Sequence, residues 1–171
     1  MDLKQHIRTV PDFPRPGILF YDIATLFAHP EALKSTVEQM TERVRGLNGS
    51  ILAGIESRGF LIGTPVAHAL GFGFIMLRKT GKLPGAVTSL GYDLEYGSAA
   101  LEIQVDMVVP GQKVILIDDL LATGGTLAAA ARLLRKVGAE VVGAACILEL
   151  SFLKGRDKLD LPIEVLLSYD G

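Results

Sequence analysis

Apolar residues recur along this chain with two periods, and the alternation of those periods sets out its architecture. Leu33, Val37, Met40, Val44 and Leu47 fall at helical spacing, which predicts an amphipathic helix over 31–47, with Gly46 and Gly49 helping to end it. An apolar run over 50–55 reads as a strand, 58–70 as a helix stopped by Gly71, and 72–77 as another strand. Residues 79–96 are glycine-rich and polar with no clear period, the pattern of a long mobile loop. Residues 99–105 alternate, which makes 92–96 a candidate pairing partner, and Pro110-Gly111 marks a turn. A strand from Val114, a helix over 126–137 stopped by Gly138 and a strand over 141–149 form a βαβ unit. A short strand over 163–167 follows. The proline-rich stretch 11–17 reads as an ordered extended segment or loop.

Strands that alternate with helices predict an α/β fold: a mainly parallel, twisted, doubly wound sheet flanked by helices. Such sheets bind ligands outside the carboxyl ends of their strands. Three polar sets follow predicted strands and should meet there: Asp118 with Asp119, residues 56–59, and Arg78 with Lys79.

Composition narrows the picture. A chain of 171 residues that is 49% hydrophobic has material for one well-cored domain. Its apolar runs are broken well short of the ~20 residues that a membrane-spanning helix needs. The start, Met-Asp-Leu-Lys-Gln-His, lacks the basic-then-apolar pattern of a secretion signal, so a cytoplasmic location is expected. The single Cys146 rules out an internal disulfide and offers no metal cluster; its apolar neighbours suit a small buried hydrophobe. A net charge of −2 gives no general attraction to nucleic acid or to an anionic membrane. An anionic substrate therefore has to be met by local positive charge, and the candidates cluster between Arg58 and Lys82.

The most specific chemistry lies in Val114-Ile115-Leu116-Ile117-Asp118-Asp119-Leu120-Leu121-Ala122-Thr123-Gly124-Gly125-Thr126. An apolar strand ends in two adjacent carboxylates, and a Thr/Gly loop leads into a helix. Carboxylates accept hydrogen bonds from neighbouring ribose hydroxyls. Successive strand residues point to opposite faces, so at least one of the two Asp should turn into the site. Residues 122–126 sit where a helix begins, so their N–H groups lack partners and the helix dipole favours an anion. Gly124 and Gly125 allow close backbone approach, and Thr123 and Thr126 add hydroxyl donors. A nucleoside-triphosphatase loop has Lys after its last Gly; here Thr126 holds that place, which favours a phosphate monoester.

This string resembles the phosphoribosyl-diphosphate motif of the type I phosphoribosyltransferases. Further segments resemble the adenine-specific branch of that family: Pro11-Asp12-Phe13-Pro14-Arg15-Pro16-Gly17-Ile18-Leu19-Phe20, Glu56-Ser57-Arg58-Gly59-Phe60, Arg78-Lys79-Thr80-Gly81-Lys82-Leu83-Pro84-Gly85, Leu94-Glu95-Tyr96-Gly97 and Leu150-Ser151-Phe152-Leu153-Lys154-Gly155-Arg156. The resemblance covers nearly the whole chain. It implies transfer of phosphoribose from its diphosphate to N9 of adenine, giving AMP and diphosphate, with Mg²⁺ arriving on the donor and no metal held by protein alone. It also implies a homodimer, and a small hood formed by about 1–25 and 150–171.

The resemblance further implies roles. Asp118 and Asp119 would hold ribose, and Ala122, Thr123, Gly124, Gly125 and Thr126 the 5′-phosphate. Glu56, Ser57, Arg58 and Gly59, on a loop that in the family can carry a cis peptide bond, would serve the diphosphate together with Arg78, Lys79 and Lys82. Leu19, Phe20, Arg58 and Leu150 would surround adenine, with Phe20 stacked on the ring. Relatives acting on 6-oxopurines carry a carboxylate where this chain has Ala122, so a catalytic carboxylate has to come from elsewhere. Glu95 on the 79–96 loop fits, with Arg58 and Tyr96 beside it in the catalytic set. One departure is Tyr21, where the family often has Arg.

Two other readings stay open at this point. A sensor of the same fold could bind the donor without catalysis, though this chain carries no basic face for DNA. An enzyme for guanine, hypoxanthine or xanthine is the other, against which Ala122 weighs.

Overall fold

The computed structural model describes residues 1–94 and 96–171, and the chain forms two compact units, Met1–Gln39 and Met40–Gly171. In the first, strands β1 (Arg8–Pro11) and β2 (Leu19–Asp22) pair antiparallel, from Arg8 opposite Asp22 to Pro11 opposite Leu19. The proline-rich stretch is the connection between them. Its Phe13–Pro14 peptide is cis, the Phe13 N–H donates to the Ile18 carbonyl at 3.1 Å, and the Asp12 carboxylate accepts the Gly17 N–H at 2.7 Å. The Arg8 guanidinium grips the Asp22 carboxylate across the pair. Helix α1 (Ala24–Ala28) follows, and α2 (Pro30–Arg45) begins in this unit.

The second unit holds a seven-stranded sheet: β3 (Ile51–Ile55), β4 (Gly73–Lys79), β5 (Val87–Asp93), β6 (Ser98–Gln104), β7 (Lys113–Leu121), β8 (Glu140–Leu150) and β9 (Ile163–Tyr169). Their order is β5-β6-β4-β3-β7-β8-β9. The five strands from β4 to β9 in that order are parallel, while β6 runs antiparallel to β4 and β5. Helices α3 (Arg58–Leu70) and α4 (Gly125–Lys136) make the crossovers. The predicted mainly parallel sheet flanked by helices is present.

Central strands covered on both faces read as continuous apolar runs. Leu52, Ala53, Ile75, Leu77, Val114, Ile115, Leu116 and Ile117 are accordingly buried. α4 buries Leu127, Ala130, Leu133 and Leu134 and leaves Arg132 and Arg135 outside. Left-handed glycines stop both crossovers as expected, Gly71 at φ 70° and Gly138 at φ 99°. Cys146 is fully buried in β8, and its burial first, then the Asp118 and Asp119 charges, push its thiol pKa well above the usual value. No helix among the described residues is long and apolar enough to cross a membrane.

Three expectations need correction. The segment 79–96 is not one loop, because β5 occupies Val87–Asp93 and pairs along its length with β6. The short strand expected over 163–167 is present and longer, Ile163–Tyr169, and as the edge strand parallel to β8 it is part of the sheet rather than of the hood to which 150–171 was assigned. The motif strand does not end at the carboxylates: β8 is long enough to pair with Leu120 and Leu121, so β7 runs on to Leu121.

Candidate active site

The sheet order reverses between β3 and β7. From β3 the chain crosses to β4 on one side, and from β7 it crosses to β8 on the other. The loops that leave these two adjacent strands diverge, and a crevice opens between them at the carboxyl edge. A cavity of about 770 Å³ lies there. Its lining includes Glu56, Ser57, Arg58, Lys79, Asp118, Asp119, Ala122, Thr123, Gly124 and Thr126.

Register explains why the carboxylates face this space. β3 pairs with β7 only as far as Gly54 opposite Ile117, so Asp118 and Asp119 stand just beyond the paired length, beside the 56–57 loop. Asp118 and Asp119 are both buried. The Asp118 carboxylate accepts the Asp119 N–H at 2.9 Å. Burial, followed by the neighbouring Asp119 charge, raises the Asp118 pKa well above the ordinary carboxylate value, and the Arg58 guanidinium offsets part of that rise. Asp119 has the closer counter-charge: Arg58 Nε stands 2.7 Å from Asp119 Oδ2.

Arg58 opens α3, and the Glu56–Ser57 peptide that precedes it is cis. Ser57 makes no side-chain cap, so the start of this helix is presented to the cavity without a competing hydroxyl. The Glu56 carboxylate is spent on the scaffold. It accepts the Lys79 N–H at 2.6 Å and lies 3.4 Å from Arg78 Nε, while the Glu56 N–H donates to the Leu77 carbonyl at 3.0 Å. Glu56 thus ties the end of β3 to the end of β4. Gly59 lets α3 rest directly on β7: a Cβ there would stand 3.0 Å from Asp118 Oδ1 and 3.1 Å from the Ile117 carbonyl oxygen.

The second loop mirrors the first. Gly124 caps α4 in the left-handed conformation, φ 84°, again without a side-chain cap. Two helix starts therefore converge on one cavity, one beside Arg58 and Lys79, the other beside Thr123 and Thr126, with the carboxylate pair between them. Dipole ends and cations at the flanks suit two anionic groups, and carboxylates at the centre suit hydroxyls or a developing positive charge.

Not every expected site residue is part of this lining. Arg78 and Lys79 occupy opposite faces of β4, so Lys79 reaches the cavity while Arg78 lies over the Phe60 ring, 5.9 Å from its centroid. Lys82, Tyr96 and Gly125 are outside the lining, and Leu150 ends β8 opposite Tyr169. Leu19 and Phe20 are in β2 of the N-terminal unit, Phe20 edge-on to Phe13 at 5.1 Å. Glu95 lies outside the described residues.

Sequence reading missed one wall. Tyr92, Leu94, Ser98, Ala99 and Leu101, from the β5–β6 hairpin, complete the lining. Their signal was the alternation of half-buried Thr88, Leu90 and Tyr92 with exposed Ser89, Gly91 and Asp93.

Comparison with known proteins gives the same picture. Residues 23–162 match the phosphoribosyl transferase domain family. An adenine phosphoribosyltransferase of Rhodospirillum centenum is 62% identical over 170 residues, 99% of each chain. The crystal structure of the adenine phosphoribosyltransferase from Thermoanaerobacter pseudethanolicus superposes with a TM-score of 0.95 at 43% identity, covering 98% of both chains. That of Saccharomyces cerevisiae, complexed with an imino-altritol bisphosphate and adenine, gives 0.91 at 40% identity over 97% of both chains.

Proposed function

We infer that this chain, which belongs to the phosphoribosyltransferase family, transfers phosphoribose from 5-phospho-α-D-ribose 1-diphosphate to N9 of adenine, giving AMP and diphosphate. The observation that carries this reading is the buried Asp118–Asp119 pair set between two helix starts at the switch point of the sheet. A match of 62% identity over 99% of each chain to an adenine phosphoribosyltransferase supports the choice of base.

In this reading Thr123, Gly124, Gly125, Thr126 and the Ala122 backbone hold the 5′-phosphate at the start of α4. Asp118 and Asp119 accept from the ribose hydroxyls. The start of α3 with Ser57, Arg58 and Lys79 holds the diphosphate. N9 of adenine forms its bond to the anomeric carbon as the carbon–oxygen bond to diphosphate breaks, and diphosphate leaves with the electron pair. Positive charge that develops on the sugar in between is met by the Asp119 carboxylate.

The donor is taken as its Mg²⁺ complex. Among the described residues no cluster of three or more His, Cys, Asp or Glu could hold a metal ion, and Asp119 is already engaged by Arg58. This donor set suits a cation carried on substrate oxygens and water. A homodimer is proposed on the resemblance alone.

Glu95 is the proposed carboxylate for the adenine proton, since Ala122 cannot supply one. Glu95→Ala is expected to lower kcat by about 100-fold or more and to raise the donor KM by less. Steady-state kinetics with wild-type turnover would remove Glu95 from the mechanism.

The reading is tested by offering adenine, hypoxanthine, guanine and xanthine separately with the donor and Mg²⁺. AMP from adenine alone is the expected result, and it makes Tyr21 a tolerated departure. Donor binding with no product from any base would favour a sensor instead.

A further inference from the structure

We propose that Gly155, far from the phosphate loop in sequence, is a positioning residue for it. Resting on the phosphate assignment above, the inference starts from a backbone contact. A Cβ on Gly155 would overlap the Ala122 carbonyl oxygen and stand 3.1 Å from the Gly124 nitrogen. A Cβ on Gly124 would in turn overlap the Gly155 carbonyl oxygen. Apart from Leu121 Cδ1 at 2.9 Å from the Gly155 Cβ position, the obstructing atoms are backbone on both sides, so no side-chain rotation can make enough room. Two chain segments thus lie in van der Waals contact, and neither can gain a methyl group without moving the other.

What stands behind Gly155 is rigid. It begins a 3-10 turn, Gly155–Lys158, after Lys154 in the left-handed conformation, φ 54°. The next residue, Arg156, locks the turn to the sheet. Its Nε and one terminal nitrogen fork onto the two oxygens of Glu149 at 2.7 and 2.9 Å, and its other terminal nitrogen donates to the Ile163 carbonyl at 3.1 Å. Glu149 is buried in β8 directly opposite Leu121, the last residue of β7 before the loop. The turn is therefore fixed to the same strand pair that carries the loop, and it backs the loop without itself lining the cavity.

Gly124 is left-handed and α4 has no side-chain cap. Hydrogen bonds to a phosphate weaken steeply with distance and angle, so a displacement of a few tenths of an ångström at residues 122–124 falls directly on 5′-phosphate binding. The start of α3, on β3, makes no contact of this kind with Gly155 and keeps its geometry.

This separates two ligands. Calorimetric titration of the full chain with ribose 5-phosphate and, separately, with Mg²⁺-diphosphate reads each end of the site. Gly155→Ala is expected to raise the Kd for ribose 5-phosphate by about tenfold or more, the loss of one charge-assisted hydrogen bond, and to leave that for diphosphate unchanged. If that variant fails to fold, Arg156→Lys keeps the charge, gives up the fork and should show the same split more weakly. Unchanged ribose 5-phosphate binding in a folded variant overturns the inference, as does equal loss of both ligands. Wild-type protein that binds neither ligand would instead overturn the functional reading on which the inference rests.

Discussion

Asp119→Asn is expected to lower kcat/KM for the donor by roughly 30- to 1000-fold, about 2–4 kcal/mol, while Asp118→Asn next to it stabilises the fold. The two carboxylates are adjacent in sequence and differ in surroundings. Asp119 is buried with Arg58 Nε at 2.7 Å. Its amide counterpart loses that ion pair and presents a donor group where a ribose hydroxyl needs an acceptor. Asp118 is in the opposite situation: burial and the Asp119 charge hold its pKa well above the usual value. As pH rises past about 3.8, the unfolded chain ionises Asp118 while the native state keeps its proton. Stability contributed at this position is therefore full below that pH and is lost as pH climbs toward the raised native pKa. Asp118→Asn abolishes that loss and keeps the oxygen that accepts the Asp119 N–H. A gain of about 1–2 kcal/mol at neutral pH follows, a rise of roughly 2–8 °C in Tm, shrinking toward pH 4. Thermal melts at pH 4 and pH 7 check the sign. A lower Tm at pH 7, or unchanged donor kinetics in Asp119→Asn, would contradict this account.

The sheet was legible because its central strands are buried on both faces and bounded by glycines and prolines. Residues 50–55, 114–117 and 141–149 each read as a strand with no tertiary information. The phosphate loop was legible because its residue types are chemically constrained. The β5 strand was not, since Ser89, Gly91 and Asp93 on its open face dilute the apolar positions, and its signal becomes visible only once β6 is beside it. Arg78 and Lys79 could not be told apart from their order, because which of two neighbours faces the site depends on the face of β4 that is covered. Gly155 was invisible in another way. Its importance lies in a contact with Gly124, about 30 residues away, and a lone glycine between two basic residues carries no period.

Arg58→Ala is the most demanding test of how the site manages charge, with an expected fall in kcat/KM of about 100- to 1000-fold. The Asp119 carboxylate has little exposure, 9%, whereas the Arg58 side chain is 45% exposed. Removing Arg58 strips a cation from the diphosphate end and also leaves Asp119 facing an anionic donor without its counter-charge. The second effect is the larger, because a buried carboxylate is poorly screened by solvent. Stability should suffer less than affinity, about 1 kcal/mol, since water can reach the space that the half-exposed guanidinium vacates. Arg58→Lys should recover only part of the activity, as a point charge replaces a fixed fork. The decisive measurement is a double-mutant cycle on kcat/KM. With Asp119 already changed to Asn, Arg58→Ala should cost far less than in the wild-type background, because the unpaired carboxylate is no longer there to repel the donor. Additive losses would mean that Arg58 acts on the donor without Asp119, and the ion pair would then be an incidental contact between two separate binding groups.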